Sequence, residues 1–226
     1  MSMLIEGLHL EKSFRTRYVE TKVLDKVSIN IGSSEIISLT GKSGSGKTTL
    51  LNAIGLLAPP DHGHYRVKGE EVDLSNIASH HRIRRERFGF VFQEFMLVDY
   101  MTARENVRLV ASAESSRLEI NAKIEKLAAE LEIEHRLDHY PPQLSGGQRQ
   151  RVAILRAVMN SPECIFADEP TGNLDSRTGA RVLRLLRSLK SKGCAVVIAT
   201  HDQEIAESCQ RQYQLTDGTC KEMTTN

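Results

Sequence analysis

The chain lacks any apolar run near the ~18 residues needed to span a bilayer. Its first residues, MSMLIEGLHLEKSF, also lack the charged start and long apolar core of a secretory signal. A role at a membrane would therefore need its membrane part from another chain. Charge of one sign is missing too: 30 Lys and Arg stand against 29 Asp and Glu, for a formal net charge of +1. No global field favours nucleic acid or an anionic surface. The four cysteines, Cys164, Cys194, Cys209 and Cys220, show no CxxC spacing and no nearby histidine partner, and they read as reduced thiols packed like small apolar groups. The histidine pairs His62/His64, His80/His81 and His135/His139 lack the companion ligands of a zinc site and read as surface residues. No internal repeat or low-complexity tract stands out.

What is present is an ordinary globular composition, 40% hydrophobic and 26% charged over 226 residues. That is enough for one large α/β domain to bury a core without staples. Strand-like alternation covers Leu4 to Leu10 and Val23 to Ile31, with Gly32 closing a turn. The apolar run Glu35 to Thr40 (EIISLT) feeds a glycine-rich loop, and Thr48 to Leu57 continues at helical spacing, ended by Pro59-Pro60. Gly89 to Gln93 (GFVFQ) reads as a buried strand. From about Phe95 to Leu144 the texture becomes helical, with a capping box at Thr102-x-x-Glu105 and helical spacing over Leu118 to Leu131. Helix and strand then alternate: Ser145 to Met159, Cys164 to Ala167, Asp175 to Lys190, Ala195 to Thr200 (AVVIAT), and a strand-turn-strand finish around Asp217-Gly218. Such alternation implies a mostly parallel sheet covered on both faces, with ligands at the carboxyl ends of its strands.

The motifs fall at those ends. Gly41 to Thr48 (GKSGSGKT) matches GxxxxGK[ST] between a strand and a helix, the setting the motif requires. Its glycines let backbone N–H groups curl around a polyphosphate; Lys47 would reach the β- and γ-phosphates and Thr48 would ligate Mg²⁺. Cys164 to Asp168 (CIFAD) is an apolar strand ending in an acid, which places Asp168 to hold Mg²⁺ while Glu169, pointing differently, faces the attacking water. Leu144 to Gln148 (LSGGQ) is a second helix start with capping-box form and open glycine N–H groups. A second phosphate-binding start makes sense if it completes the site of another copy.

In this order, a phosphate loop, a glutamine after a strand, LSGGQ, an apolar strand ending in Asp-Glu and a later histidine resemble the ABC ATPase family, over nearly the whole chain. The resemblance implies a RecA-like α/β core with a mostly parallel sheet and an N-terminal antiparallel β region, spanning 1–93 and 149–226. A helical subdomain with the signature motif, 94–148, completes a single domain of 1–226. It implies ATP and Mg²⁺ as ligands and a head-to-tail homodimer, each ATP lying between one copy's phosphate loop and the other's LSGGQ. Gly41, Lys42, Ser43, Gly44, Ser45, Gly46, Lys47, Thr48 and Thr49 then cradle the nucleotide, with Ser145, Gly146, Gly147 and Gln148 from the partner. Phe14, or failing it Tyr18, stacks on adenine. Gln93 resembles the glutamine that contacts Mg²⁺ and the water, Glu169 the general base, His201 the switch histidine, and Asn173-Leu174-Asp175 the loop crossing the dimer interface. Lys47 completes the catalytic set.

Other users of this engine fit less well. The roughly fifty residues between Gln93 and Leu144 leave no room for a long coiled coil, and there is one cassette rather than two. The short form, with FGFVFQEF and TARENV, looks like the lipoprotein-release, macrolide, peptide and haem export ATPases. These sit on the cytoplasmic face of a membrane through a separate permease. A cell-division relative of that group transmits force without transport. The run His81 to Arg87 (HRIRRER) contains Glu86 and no row of stacking aromatics, so it reads as a solvated helix, not a nucleic-acid site. Phe95 to Tyr100 (FMLVDY) is either core packing for the helical block or a groove for a membrane partner.

Overall fold

Polar-apolar alternation carries β1 (Met3–Arg15) and β2 (Glu20–Gly32) through 13 residues each, antiparallel to one another and longer than the sequence segments suggest. Register shifts within the pair absorb the extra length. The computed structural model describes residues 2–111, 115–191 and 193–223; residues 112–114 of the helical block lie outside them. Beyond β1, the strand β3 (Ile36–Thr40) leads through the glycine-rich loop into α1 (Lys47–Ile54). That helix stops before reaching Leu57, and Pro59 does not end it. Gly55 caps it and Leu56 turns into left-handed backbone (φ 58°).

The next two strands, β4 (His62–Val67) and β5 (Glu70–Glu71), complete a four-stranded antiparallel sheet in the order β2-β1-β4-β5. Then α2 (Ile77–Arg87) precedes β6 (Phe88–Val91). The reading of the pair His80/His81 as surface residues needs correction: His81 is exposed, but His80 is not a surface residue. It is buried beside Ile83, and its Nε2 bonds to the Asp73 carbonyl at 2.9 Å.

The helical block contains α3 (Ala103–Arg108) and α4 (Arg117–Glu130), each opened by a complete capping box, Thr102/Glu105 and Ser116/Glu119. It leads into α5 (Gly146–Val158), which runs unbroken across residues 148 and 149, so the block and the core share this helix. The rest alternates as β7 (Cys164–Asp168), α6 (Ser176–Lys190), β8 (Ala195–Ala199), α7 (Gln203–Glu207), β9 (Arg211–Thr216) and β10 (Thr219–Met223). Asp217 and Gly218, both at positive φ, form the two-residue turn of the last hairpin.

The second sheet has the order β10-β9-β3-β8-β7-β6, parallel throughout except for β10. Its central strands are buried on both faces, and alternation sorts them between two cores. Ile37, Leu39, Phe166 and Val197 pack toward α1 and the antiparallel sheet, while Ile36, Ile165, Val196 and Ile198 pack toward α3 to α6. Parallel register brings the ends of β3, β7 and β8 to one edge, Asp168 opposite Ala199 and Leu39 opposite Ala199. The glycine-rich loop after β3 and the residues that follow β7 and β8 are hung from that edge.

Candidate active site

The loop between β3 and α1 needs glycine at two points. At Gly41 (φ 149°) an added Cβ would lie 2.5 Å from both the Leu215 carbonyl and Ser45 Oγ; at Gly46 (φ 101°) it would press on the Val23 carbonyl of β2 at 3.2 Å. Gly46 caps α1 without a side chain, so the helix's first N–H groups point outward with its positive end. Lys47 Nζ lies across the loop, donating to the carbonyls of Gly41 (2.9 Å) and Lys42 (3.0 Å). Ser45 Oγ is buried in the loop without a hydrogen-bond partner. Such a cradle of donors suits a polyphosphate.

Two carboxylates leave the end of β7 in different directions. Asp168 accepts from Thr48 Oγ1 at 3.0 and 3.2 Å. Burial raises its pKa, helped by the charge of Glu169, while Thr48 and Lys47 pull the other way. Glu169 sits in left-handed backbone (φ 43°), and its N–H donates to the Ala199 carbonyl. Non-glycine residues seldom hold this conformation unless their surroundings impose it. Its side chain turns to β8: Oε1 lies 2.7 Å from His201 Nδ1 and Oε2 accepts from Thr200 Oγ1 at 3.3 Å. A carboxylate partner orients the ring through Nδ1 and leaves Nε2 of the exposed His201 facing solvent.

Gln93 follows β6 on the other flank. Its amide lies against Gly172, where a Cβ would meet Nε2 at 3.2 Å, and its carbonyl accepts from Asn173 Nδ2 at 3.0 Å. Gly172 in turn donates to the Glu169 carbonyl, so one tight turn joins Gln93 to Glu169. Thus Lys47, Thr48, Gln93, Asp168, Glu169 and His201 converge on the edge defined by β3, β7 and β8. Phe14 lies half-exposed on the β1–β2 hairpin, paired with Thr21 near Val23, which touches the loop; Tyr18 is at the hairpin tip and 86% exposed.

Ser145 to Gln148 do not join this group. Ser145 Oγ accepts from the Gln148 N–H and Gln148 Oε1 from the Ser145 N–H, a closed capping box at the start of α5. Among the described residues no hydrogen bond or ion pair connects 145–148 with 41–48. Gly147 packs so closely on α6 that a Cβ would meet Thr178 Cγ2 at 2.4 Å, and Gly146 lies against Leu174.

A family model described as "ABC transporter" matches residues 24–172. The chain belongs to the ABC transporter family. Similar proteins include the macrolide export ATP-binding/permease protein MacB of Azoarcus sp. (strain BH72), 45% identical over 219 residues. That match covers 95% of this chain and 33% of the relative. The MacB of Salmonella paratyphi A (strain ATCC 9150 / SARB42) is 41% identical, covering 96% of this chain and 34% of its own length. The chain therefore spans about a third of the length of these curated relatives. Among solved structures, it is similar to the dimeric post-hydrolysis state of the ATP-binding cassette MJ0796 bound to ADP and Pi. The two share 34% identity at TM-score 0.88, covering 99% of this chain and all of that one. A second dimeric structure, MJ0796 as a bacterial ABC transporter cassette, is 36% identical at TM-score 0.89, with the same coverage. The RecA-like fold and the ATPase character of this ABC cassette rest on these likenesses.

Three residues of the cassette's site escape motif reading. Thr200 bonds both Glu169 and the Asp202 N–H, a role hidden at the end of AVVIAT. Gln150 is buried on the inner face of α5, with Nε2 on the Pro170 carbonyl at 2.7 Å, next to Glu169. A polar residue in the stripe with Val152, Ala153 and Ile154 is its only sequence signal. Buried Asn106 in α3 clamps the loop after Gln93, bonding the Val98 N–H and carbonyl and the Met101 carbonyl.

Proposed function

We propose that this cassette binds ATP with Mg²⁺ between two head-to-tail copies, hydrolyses it, and uses the cycle to drive a membrane permease of the exporter-like kind. The observation that carries the reading is the arrangement at the ends of β7 and β8, with Asp168 on Thr48 and Glu169 on His201. Loop 41–48 holds the triphosphate, Lys47 reaching its outer phosphates and Phe14 stacking under adenine. Thr48 and Asp168 offer the hard oxygen donors that suit Mg²⁺, with Gln93 alongside. Mg²⁺ is commonly held by one or two protein oxygens together with substrate phosphates and water, and Thr48 and Asp168 would supply the protein share. A bound Mg²⁺ supplies charge neutralisation on the transferring phosphoryl group. Glu169 orients the water and takes its proton, and His201 presents Nε2 toward the γ-phosphate. Ser145 to Gln148 of the partner close the site with a second helix N-terminus. The test is hydrolysis by the purified chain: Mg²⁺-dependent phosphate release that falls to background in Lys47→Ala supports the reading, and release indifferent to Lys47 contradicts it.

A carboxylate whose folded pKa lies above its unfolded value binds more protons in the folded state. Stability then falls as pH rises through that interval, and the charged Asp168 is a net cost at neutral pH. Asp168→Asn is accordingly expected to raise the melting temperature without nucleotide while abolishing Mg²⁺-dependent hydrolysis. A melting temperature that falls would show that the Thr48 contact outweighs the burial of the charge.

Among the described residues no helix is long and apolar enough to cross a membrane, and the permease would hold the cassette at the cytoplasmic face. The stretch after Gln93 divides between the two readings of it. Phe95 is buried and Leu97 packs on the helical core, whereas Met96 faces a groove of about 640 Å³. Leu57, Phe90, Phe92, Met96, Leu109 and Val110 give it apolar walls, and His81, Arg84 and Arg85 a basic rim. This is the surface proposed for a permease segment. Leu57 and Leu109 are each about half exposed there. The double variant Leu57→Asp/Leu109→Asp is expected to keep basal hydrolysis within a few-fold and to lose co-purification with the permease. If hydrolysis and the melting transition vanish together, the groove is part of the core instead.

A further inference from the structure

The turn that carries Gln93 is held in an unusual conformation by a helix it does not belong to. Phe92 to Phe95 form a turn closed by the Phe95 N–H on the Phe92 carbonyl at 3.1 Å. Phe95 (φ 63°) and Met96 (φ 49°) then follow as two consecutive non-glycine residues in left-handed backbone. Bulky side chains rarely adopt this conformation once, and a pair of them persists only where contacts impose it. The contacts come from α5. Arg156 donates from Nη2 to the Phe95 carbonyl at 2.8 Å and from Nη1 to the Met96 carbonyl. Two turns nearer the start of α5, the Arg149 guanidinium lies 5.2 Å from the centroid of the Phe95 ring. A planar guanidinium is suited to bridging two carbonyls in fixed geometry.

Burial disfavours the charged form of Arg156 and so lowers its pKa. A buried cation is costly unless its donors are satisfied. Within the described structure the donors of Arg156 bond those two carbonyls, both in the segment just after Gln93. The start of the same helix is the Ser145 capping box. One helix therefore connects the signature motif to the turn that carries Gln93.

We propose that Arg156 is a positioning residue that ties the Gln93 turn to the signature helix and so sets the placement of Gln93. The inference rests on the reading of Gln93 as a residue acting on the nucleotide site. Arg156 touches no reacting group and acts only through the turn.

A double-mutant cycle on the whole chain tests it: wild type, Arg156→Met, Arg156→Lys, Gln93→Ala and Arg156→Met/Gln93→Ala, each with kcat, KM for ATP and a melting curve. Arg156→Met is expected to lower kcat about 10-fold and leave KM within about 2-fold, because loop 41–48 is untouched. Arg156→Lys, with one donor reaching one carbonyl, should recover part of the loss. In the Gln93→Ala background Arg156→Met should cost nothing further, the non-additivity of two groups acting as one. Losses that multiply, with Gln93→Ala itself impaired, overturn the role of Arg156 alone. A Gln93→Ala variant as fast as wild type overturns the reading of Gln93 and the proposal with it. Should Arg156→Met lack a melting transition, Arg156→Lys carries the cycle by the same criterion: no further loss without Gln93 supports the proposal, and an added loss overturns it.

Discussion

Glu169→Gln is expected to cut turnover by at least about 10²-fold, the usual scale for losing a positioned general base, with ATP binding intact. Glu169 is held from three sides: its N–H by Ala199, and its carboxylate by His201 and Thr200. Glutamine preserves the volume and one accepting oxygen, so the left-handed backbone and the fold survive. What it loses is the capacity to take a proton from water. Its NH₂ group replaces one accepting oxygen, and Thr200 Oγ1, which can accept as well as donate, can receive it. Lys47 and the loop amides keep their geometry, so affinity for ATP should change little. With binding preserved and hydrolysis stalled, the closed pair of copies should accumulate. Light scattering with ATP and Mg²⁺ should then report twice the chain mass. A variant that hydrolyses within a few-fold of wild type would remove Glu169 from the proton-transfer role.

Ser145→Arg should abolish hydrolysis while leaving the nucleotide affinity of the isolated chain nearly unchanged. The asymmetry follows from where Ser145 sits. Its hydroxyl caps α5, at the far end of a helix that makes no described hydrogen bond to loop 41–48 of its own chain. Losing the cap costs about 1 kcal/mol of stability, too little to unfold a domain of this size. The larger effect is steric: an arginine side chain covers the outward N–H groups beside Gly146 and Gly147, where a second copy's γ-phosphate is proposed to dock. Titrating ATP into the variant and comparing it with Lys47→Ala separates the two sites. Lys47→Ala loses affinity and turnover; Ser145→Arg loses turnover alone. Equal losses of both in Ser145→Arg would mean the motif serves its own chain.

The candidate site could be located in the sequence because its chemistry fixes residue types at strand ends. Gly41 and Gly46 hold backbone that a side chain would obstruct, and Asp168 and Glu169 diverge as two adjacent residues leaving β7 should. The capping boxes at Thr102 and Ser145 could be read from four residues each, since the interaction is local. Less legible were elements that tertiary contacts decide. Polar β4 (HGHYRV) shows its buried face only through Tyr65 and Val67. The helix α2 exposes so much charge that His80 looked solvated, yet the Asp73 carbonyl satisfies its ring inside the fold. Thr200, Gln150, Asn106 and Arg156 act through backbone carbonyls and amides distant in sequence, contacts that leave no motif behind.

The central claim is that each ATP is served by two copies, and mixing two inactive variants tests it most directly. Lys47→Ala and Ser145→Arg should each be inactive alone. In a mixed pair, Lys47 of the Ser145→Arg copy and Ser145 of the Lys47→Ala copy complete one site. Varying the ratio at constant total protein should give hydrolysis that rises from both ends to a maximum near equal amounts. Its height should be about a quarter of wild type, since half the pairs are mixed and each holds one site of two. Mixed pairs recovered through a tag on one variant, yet inactive at every ratio, would contradict the account.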